Sequence, residues 1–202
     1  MSRLNSPELL LLNGPPWSGK TSIAKYALQE SFLGGAAHLS VGDLKRKILA
    51  GKRGSAYSQQ LAERTVGYRH HSVPAGDAIT GIVEEFLTER GTGLTVVDGY
   101  PRYPDRIMPF DRMVTRLGAR VVGLCIVEAD DQILRERSRY DRPGRPALSE
   151  AEVTERLADY HEAVTPTIAQ LSERYPTYHM DGALPVADNA QALAGFYVEL
   201  QS

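Results

Sequence analysis

Eight residues, Gly14-Pro15-Pro16-Trp17-Ser18-Gly19-Lys20-Thr21, constrain this chain more than any other stretch. They read G-x-x-x-x-G-K-[ST], a spacing with an explicit chemistry. A tight glycine-containing turn aims backbone N–H groups around a polyphosphate, the lysine reaches the β- and γ-phosphates, and the threonine hydroxyl ligates Mg²⁺. The run Glu8-Leu9-Leu10-Leu11-Leu12-Asn13 before it has the look of a short buried strand, and Ser22 to Gln29 after it has helical character. An anion in the loop then also sits at a helix N-terminus. Pro15 and Pro16 have no backbone N–H, so the anion nest is expected from the amides of Trp17 to Thr21. Trp17, the only tryptophan, is expected to pack beside the loop; the alternative is that it forms a wall of the site.

Apolar, β-branched runs recur at Leu94–Val97 and Val121–Val127, with a weaker one around Tyr178–Met180. The three strong runs end in Asn, Asp or Glu and give way to loops and helical patterns. That alternation predicts an α/β fold, a parallel sheet with helices on both faces and ligands at the carboxyl ends of the strands. The polar segment Asp43–Arg69 shows no strand and reads as two or three short helices carried as an insertion. Arg137 to Ser149, with Pro143-Gly144 and Pro146, reads as a loop. Ser149 and Glu152 have capping-box spacing at the start of a helix through Val153, Leu157, Tyr160 and Val164, which Pro166 kinks or ends.

The 202 residues suit one domain. The net charge of −2 is too small for a general nucleic-acid or membrane surface. The lone Cys125 lies in an apolar strand and argues for no disulfide framework, which fits a reducing cytoplasm. No apolar run approaches ~20 residues and no signal-peptide pattern is seen, so no membrane partner is expected. His70-His71 have no second cluster at metal-ligand spacing, which makes zinc an unattractive reading.

Two further constellations carry chemistry. Asp98 ends the apolar strand of Leu94-Thr95-Val96-Val97-Asp98-Gly99-Tyr100-Pro101-Arg102, where a chain with such a loop holds Mg²⁺ directly or through water. Arg102 follows on a proline-stiffened turn, and its planar fork suits phosphate. Six arginines then fall within 22 positions, at 135, 137, 139, 142, 145 and 156. They read as an arginine-bearing flap over phosphates, its cations short of acidic partners.

With Gly14–Thr21, His38-Leu39-Ser40-Val41-Gly42-Asp43-Leu44-Lys45-Arg46, Asp98–Arg102, Gly144-Arg145, and Arg156-Leu157 followed by Tyr160 and Pro166, the chain resembles the nucleoside monophosphate kinases of the adenylate kinase and UMP/CMP kinase type. The resemblance covers almost the whole length. It implies a single P-loop kinase domain with a five-stranded parallel sheet, a helical acceptor-binding insert over residues 39–73 and a short lid over 137–149. It implies ATP as donor with Mg²⁺, a phosphorylated acceptor, no nucleic-acid partner, a monomer and a cytoplasmic location. Gly14, Trp17, Ser18, Gly19, Lys20, Thr21 and Ser22 would line the donor's phosphates. Thr21, and Asp98 through water, would hold Mg²⁺. Arg135 falls where the family stacks a guanidinium on the donor base. Lys20, Arg139, Arg145 and Arg156 would clamp the transferring phosphoryl group, with Arg139 also facing ATP. The acceptor would meet Val41, Arg46, Val73, Gly99, Arg102, Arg106, Arg145 and Arg156.

Four departures accompany the match. Pro146-Ala147-Leu148 stand where the family has two lid acids, and Trp17 stands at a customary glycine. Val41 replaces the threonine of AMP-specific members, as in UMP/CMP-type members. Arg106 replaces a Gln or Asn against the acceptor base and offers only donors. The expectation is therefore an acceptor base other than adenine, UMP- or CMP-like. The rival readings are a same-fold kinase for a non-standard phosphorylated or small-molecule acceptor, and a non-catalytic nucleotide-binding regulatory module.

Overall fold

The computed structural model describes residues 6–63, 75–140 and 148–202. Five strands form one sheet: β1 (Pro7–Asn13), β2 (Ala37–Ser40), β3 (Gly93–Asp98), β4 (Arg120–Glu128) and β5 (Thr177–Asp181). Their order is β2-β3-β1-β4-β5, and every neighbouring pair is parallel. Among the described residues the helices are α1 (Lys20–Gln29), α2 (Val41–Leu49), α3 (Ser58–Glu63), α4 (Ala75–Arg90), α5 (Ile107–Arg116), α6 (Asp131–Ser138), α7 (Glu150–Asp159), α8 (Thr165–Ser172) and α9 (Val186–Glu199). A 3₁₀ turn, Pro104–Arg106, precedes α5, and a π-helical turn, Tyr160–Val164, joins α7 to α8.

The leucine run shows why the sheet is covered on both sides. Leu9 to Leu12 are all fully buried, and strand alternation sends them to opposite faces. Leu9 and Leu11 join a core with Leu39, Val97, Leu124 and helices α2, α4 and α8. Leu10 and Leu12 join a second core with Val96, Cys125, Val127 and helices α1 and α9. A strand buried on both faces reads as continuous apolar sequence because no position faces water.

The strands at Leu9–Leu12, Leu94–Val97 and Val121–Val127 lie where the sequence expects them, and the weaker run lies in β5. The short β2, Ala-His-Leu-Ser, has no such pattern; pairing with β3 makes it a strand. The described part of the 39–73 insert carries α2 and α3. Ser149 and Glu152 form the capping box: the serine Oγ accepts from the Glu152 amide, and the Glu152 carboxylate accepts from the Ser149 amide. Pro166 stands in the first turn of α8, directly after the π turn. Arg142 to Ala147, and with them most of the expected lid, lie outside the described residues, as does Val73.

Candidate active site

All strands point the same way, so their carboxyl ends share one edge, and β1 delivers its loop to the middle of it. The loop is fixed by two glycines. A Cβ on Gly14, whose φ is 143°, would stand 2.3 Å from the Val127 carbonyl oxygen of β4, so only glycine fits. Gly19, at φ 96°, is the N-cap of α1, and no side chain caps that helix. The Lys20 and Thr21 amides at its start therefore have no i−4 acceptor within the helix, as at any helix N-terminus. Trp17 also has a positive φ, 63°. Its side chain is buried against Leu134, Val153 and Leu157, so it packs beside the loop and ties it to α6 and α7.

Within the loop, the Lys20 ammonium donates to the carbonyls of Gly14 (2.9 Å) and Pro15 (2.6 Å) and to the Ser18 hydroxyl (3.2 Å). It thus lies coiled over the space a phosphate would take. Thr21 Oγ1 donates to Asp98 Oδ2 at 2.5 Å, joining the start of α1 to the end of β3. Asp98 is 5% exposed. Burial raises its pKa, but His38, the Lys20 ammonium and the Thr21 hydroxyl outweigh burial and hold the carboxyl below its ordinary value. The base of the phosphate site is thus a buried, ionised carboxylate beside a hydroxyl.

His38 is the first group of the site that sequence reasoning does not single out. Its Nε2 lies 3.5 Å from Asp98 Oδ2. Parallel register pairs His38 with Val96 and Ser40 with Asp98, which places His38 on the Asp98 face of the sheet. Asp159 is the second. Its Oδ2 accepts from Arg102 Nη2 at 3.2 Å and from the Tyr103 hydroxyl at 3.0 Å. It stands three residues after Arg156 on α7, so one helical face presents both the cation and the acid.

Arg156 lies over the Trp17 ring, 5.9 Å from its centroid. Burial, followed by repulsion from Arg46, lowers its pKa, so a cation of α7 and one of α2 share one field. Arg46 is paired with Asp43 one helical turn away, and Arg102 is the third cation of this edge. Gly99, at φ 80°, turns the chain just before them. Val41 is buried in the core with Leu39, Leu44 and Ile48, which gives its apolar character a packing reason. Arg106 is also buried, at 5% exposure.

The expected flap differs in one respect. Arg135 donates to Glu150 Oε1 (2.8 Å) and Thr154 Oγ1 (2.9 Å), tying α6 to α7. Arg135 itself is therefore not short of an acidic partner, and in this structure it is engaged by α7. Arg139 caps α6 and is exposed. Arg145 lies outside the described residues. Ser22 opens the second residue of the helical ladder, its amide bonding to the Gly19 carbonyl at 2.9 Å.

A strand–loop–helix phosphate nest, with an ionised acid ending the adjacent parallel strand, defines a P-loop phosphotransferase of the kinase type. No family model matches the chain. An adenylate kinase of Thermus thermophilus is 30% identical over 177 residues, spanning 87% of this chain and 89% of the relative. Adenylate kinase 1 of a Synechocystis species is 28% identical over 179 residues, covering 88% and 90%. An adenylate kinase of Caulobacter vibrioides is 27% identical over 177 residues, covering 86% and 88%. The chain belongs to the nucleoside monophosphate kinase family, of adenylate kinase type. It is an ATP-dependent phosphotransferase, not a non-catalytic module. Among the described residues no helix is long and apolar enough to cross a membrane.

Proposed function

We propose that this enzyme moves the γ-phosphoryl group of Mg·ATP to a nucleoside 5′-monophosphate whose base is not adenine, with UMP or CMP favoured. The observation that carries the acceptor reading is Arg106. Its Nη1 is buried without a hydrogen-bond partner among the described residues, and it follows Arg102 at the carboxyl edge of β3. A donor-only cation there is satisfied by a base carbonyl, which uracil and cytosine present. Adenine would bring its own amino donor and leave buried N–H groups unpaired, at ~1–3 kcal/mol per group. The names of the relatives favour the second reading, in which AMP is the acceptor.

The donor's phosphates would lie in the Gly14–Ser22 loop, drawing Lys20 away from the loop carbonyls. Arg46 and Arg102 would take the acceptor's phosphate from the two neighbouring strand ends, with α2 and α3 forming the acceptor side. Arg156, with Arg139 and Arg145, would face the charge that develops between donor and acceptor. Catalysis of this kind is positioning and charge stabilisation, without covalent chemistry by the protein. The pair Thr21–Asp98 fits Mg²⁺, since both supply hard oxygen atoms and the carboxylate is held ionised. Among the described residues no three His, Cys, Asp or Glu side chains cluster, so water and phosphate would complete the coordination. When bound, the ion neutralises phosphate charge. A monomer belongs to the same proposal; the exposed Leu49, Met108 and Val198 lie on three different helices.

The test is kcat/KM for AMP, CMP, UMP, GMP and dTMP with Mg·ATP as donor. UMP or CMP is expected to rank first; AMP ranking first by about tenfold or more overturns the acceptor reading.

A further inference from the structure

Arg106 ends the 3₁₀ turn, and its side chain is 6% exposed. Its Nε meets the Asp105 carboxylate at 3.1 Å, but that acid is more than half exposed and engages only this corner of the guanidinium. The Nη1 nitrogen is buried and has no hydrogen-bond partner among the described residues. The polar neighbours are already engaged. The Tyr100 hydroxyl shares a 2.7 Å hydrogen bond with Thr80 Oγ1, and the Tyr103 hydroxyl donates to Asp159.

A second cation, Lys45, lies within reach of the Arg106 charge. Lys45 lies on α2, which begins where β2 ends, and Ser40 at that end is in register with Asp98 at the end of β3. The starts of α2 and of the turn carrying Arg106 therefore share one corner of the carboxyl edge. Lys45 is half-buried and has no hydrogen bond or ion pair among the described residues. Burial first, then the charges of Arg106 and Arg46, lower its pKa. Arg46 at least has Asp43; no described acid faces Lys45.

We infer that Lys45 and Arg106 form a site for a negatively charged group on the acceptor's base, at the end remote from its phosphate. A neutral carbonyl accepts one hydrogen bond from the guanidinium and leaves two clustered charges uncompensated. An ionised imide or a carboxylate accepts from both side chains and cancels their repulsion. The acceptor is thus a nucleoside monophosphate with an acidic base. This rests on the reading that this edge binds a monophosphate, and it narrows the base to an anionic one.

The experiment uses two matched pairs with Mg·ATP: xanthosine against inosine 5′-monophosphate, and 5-carboxyuridine against uridine 5′-monophosphate. The first pair tests an ionised ring and the second an appended carboxylate. The anionic member of at least one pair is expected to win by about tenfold or more in kcat/KM, mainly through KM. Lys45→Leu and Arg106→Gln should each shrink that ratio, and Arg106→Lys should retain part of it. Equal or better use of the neutral member in both pairs overturns the inference alone, a result needing no variant to fold. Turnover of none of the four, nor of AMP, overturns it together with the monophosphate reading.

Discussion

The donor and acceptor halves of the active-site edge handle charge in opposite ways. On the donor side Lys20 has three oxygen acceptors from its own loop, and Asp98 has Thr21 and His38. On the proposed acceptor side Arg46 and Arg102 each lean on one acid, while the charge of Arg106 acts on Lys45 and Arg106 meets only the exposed Asp105. In the proposed donor half Lys20 and Asp98 already have partners within the fold before anything binds. On the proposed reading the acceptor half is balanced only by what it binds, and selectivity would reside there.

The comparison breaks first at the clamp between the halves. Arg156→Ala should lower kcat by ~10³, as loss of a transition-state arginine does, and Lys20→Ala by ~10²–10³. Steady-state kinetics on folded variants check this; near-native turnover in either removes the donor-side assignment. Next is Gly14→Ala, which drives a Cβ into the Val127 carbonyl oxygen at 2.3 Å from a φ of 143°. It should cost ~2–3 kcal/mol in urea unfolding.

A third expectation concerns acid. The Asp98 pKa is lowered in the folded protein. Its contribution is therefore present above the ordinary carboxylate value and is lost as pH falls through the lower, folded one. Unfolding titrations should show Asp98→Asn flattening that acid limb; an unchanged limb removes the assignment. Fourth, Asp159→Asn loosens Arg102 and Tyr103. It should raise the acceptor's KM more than it lowers kcat, with donor KM nearly unchanged. The smallest effect is at Ser149→Ala, which removes the capping-box acceptor of α7 at ~1 kcal/mol.

Much of the donor half was legible because its causes are local. A loop demanding Gly14 and Gly19 and a strand of four leucines leave traces in consecutive residues. Strand β2 left none, since four residues including His38 become a strand only by pairing with β3. Asp98 was visible at a strand end, whereas His38 needed the register, and Asp159 needed the turn of α7 that brings it to Arg102. Arg135 resembles a base-stacking cation by position, while its hydrogen bond to Glu150, fifteen residues on, belongs to the packing of α6 against α7. Arg106 could be read only as a departure; its burial and its unpaired nitrogen belong to the three-dimensional arrangement.

Trp17 has an optical consequence. It is the only indole among ten tyrosines, so excitation at the red edge of the aromatic band addresses this loop alone. Its ring lies beside the Arg156 guanidinium, and indole emission responds to nearby charge and to water. Arg156 turning toward a phosphoryl group changes the field on that ring. The chain therefore carries its own fluorophore at the proposed catalytic junction, and stopped-flow emission should time ligand arrival without a label.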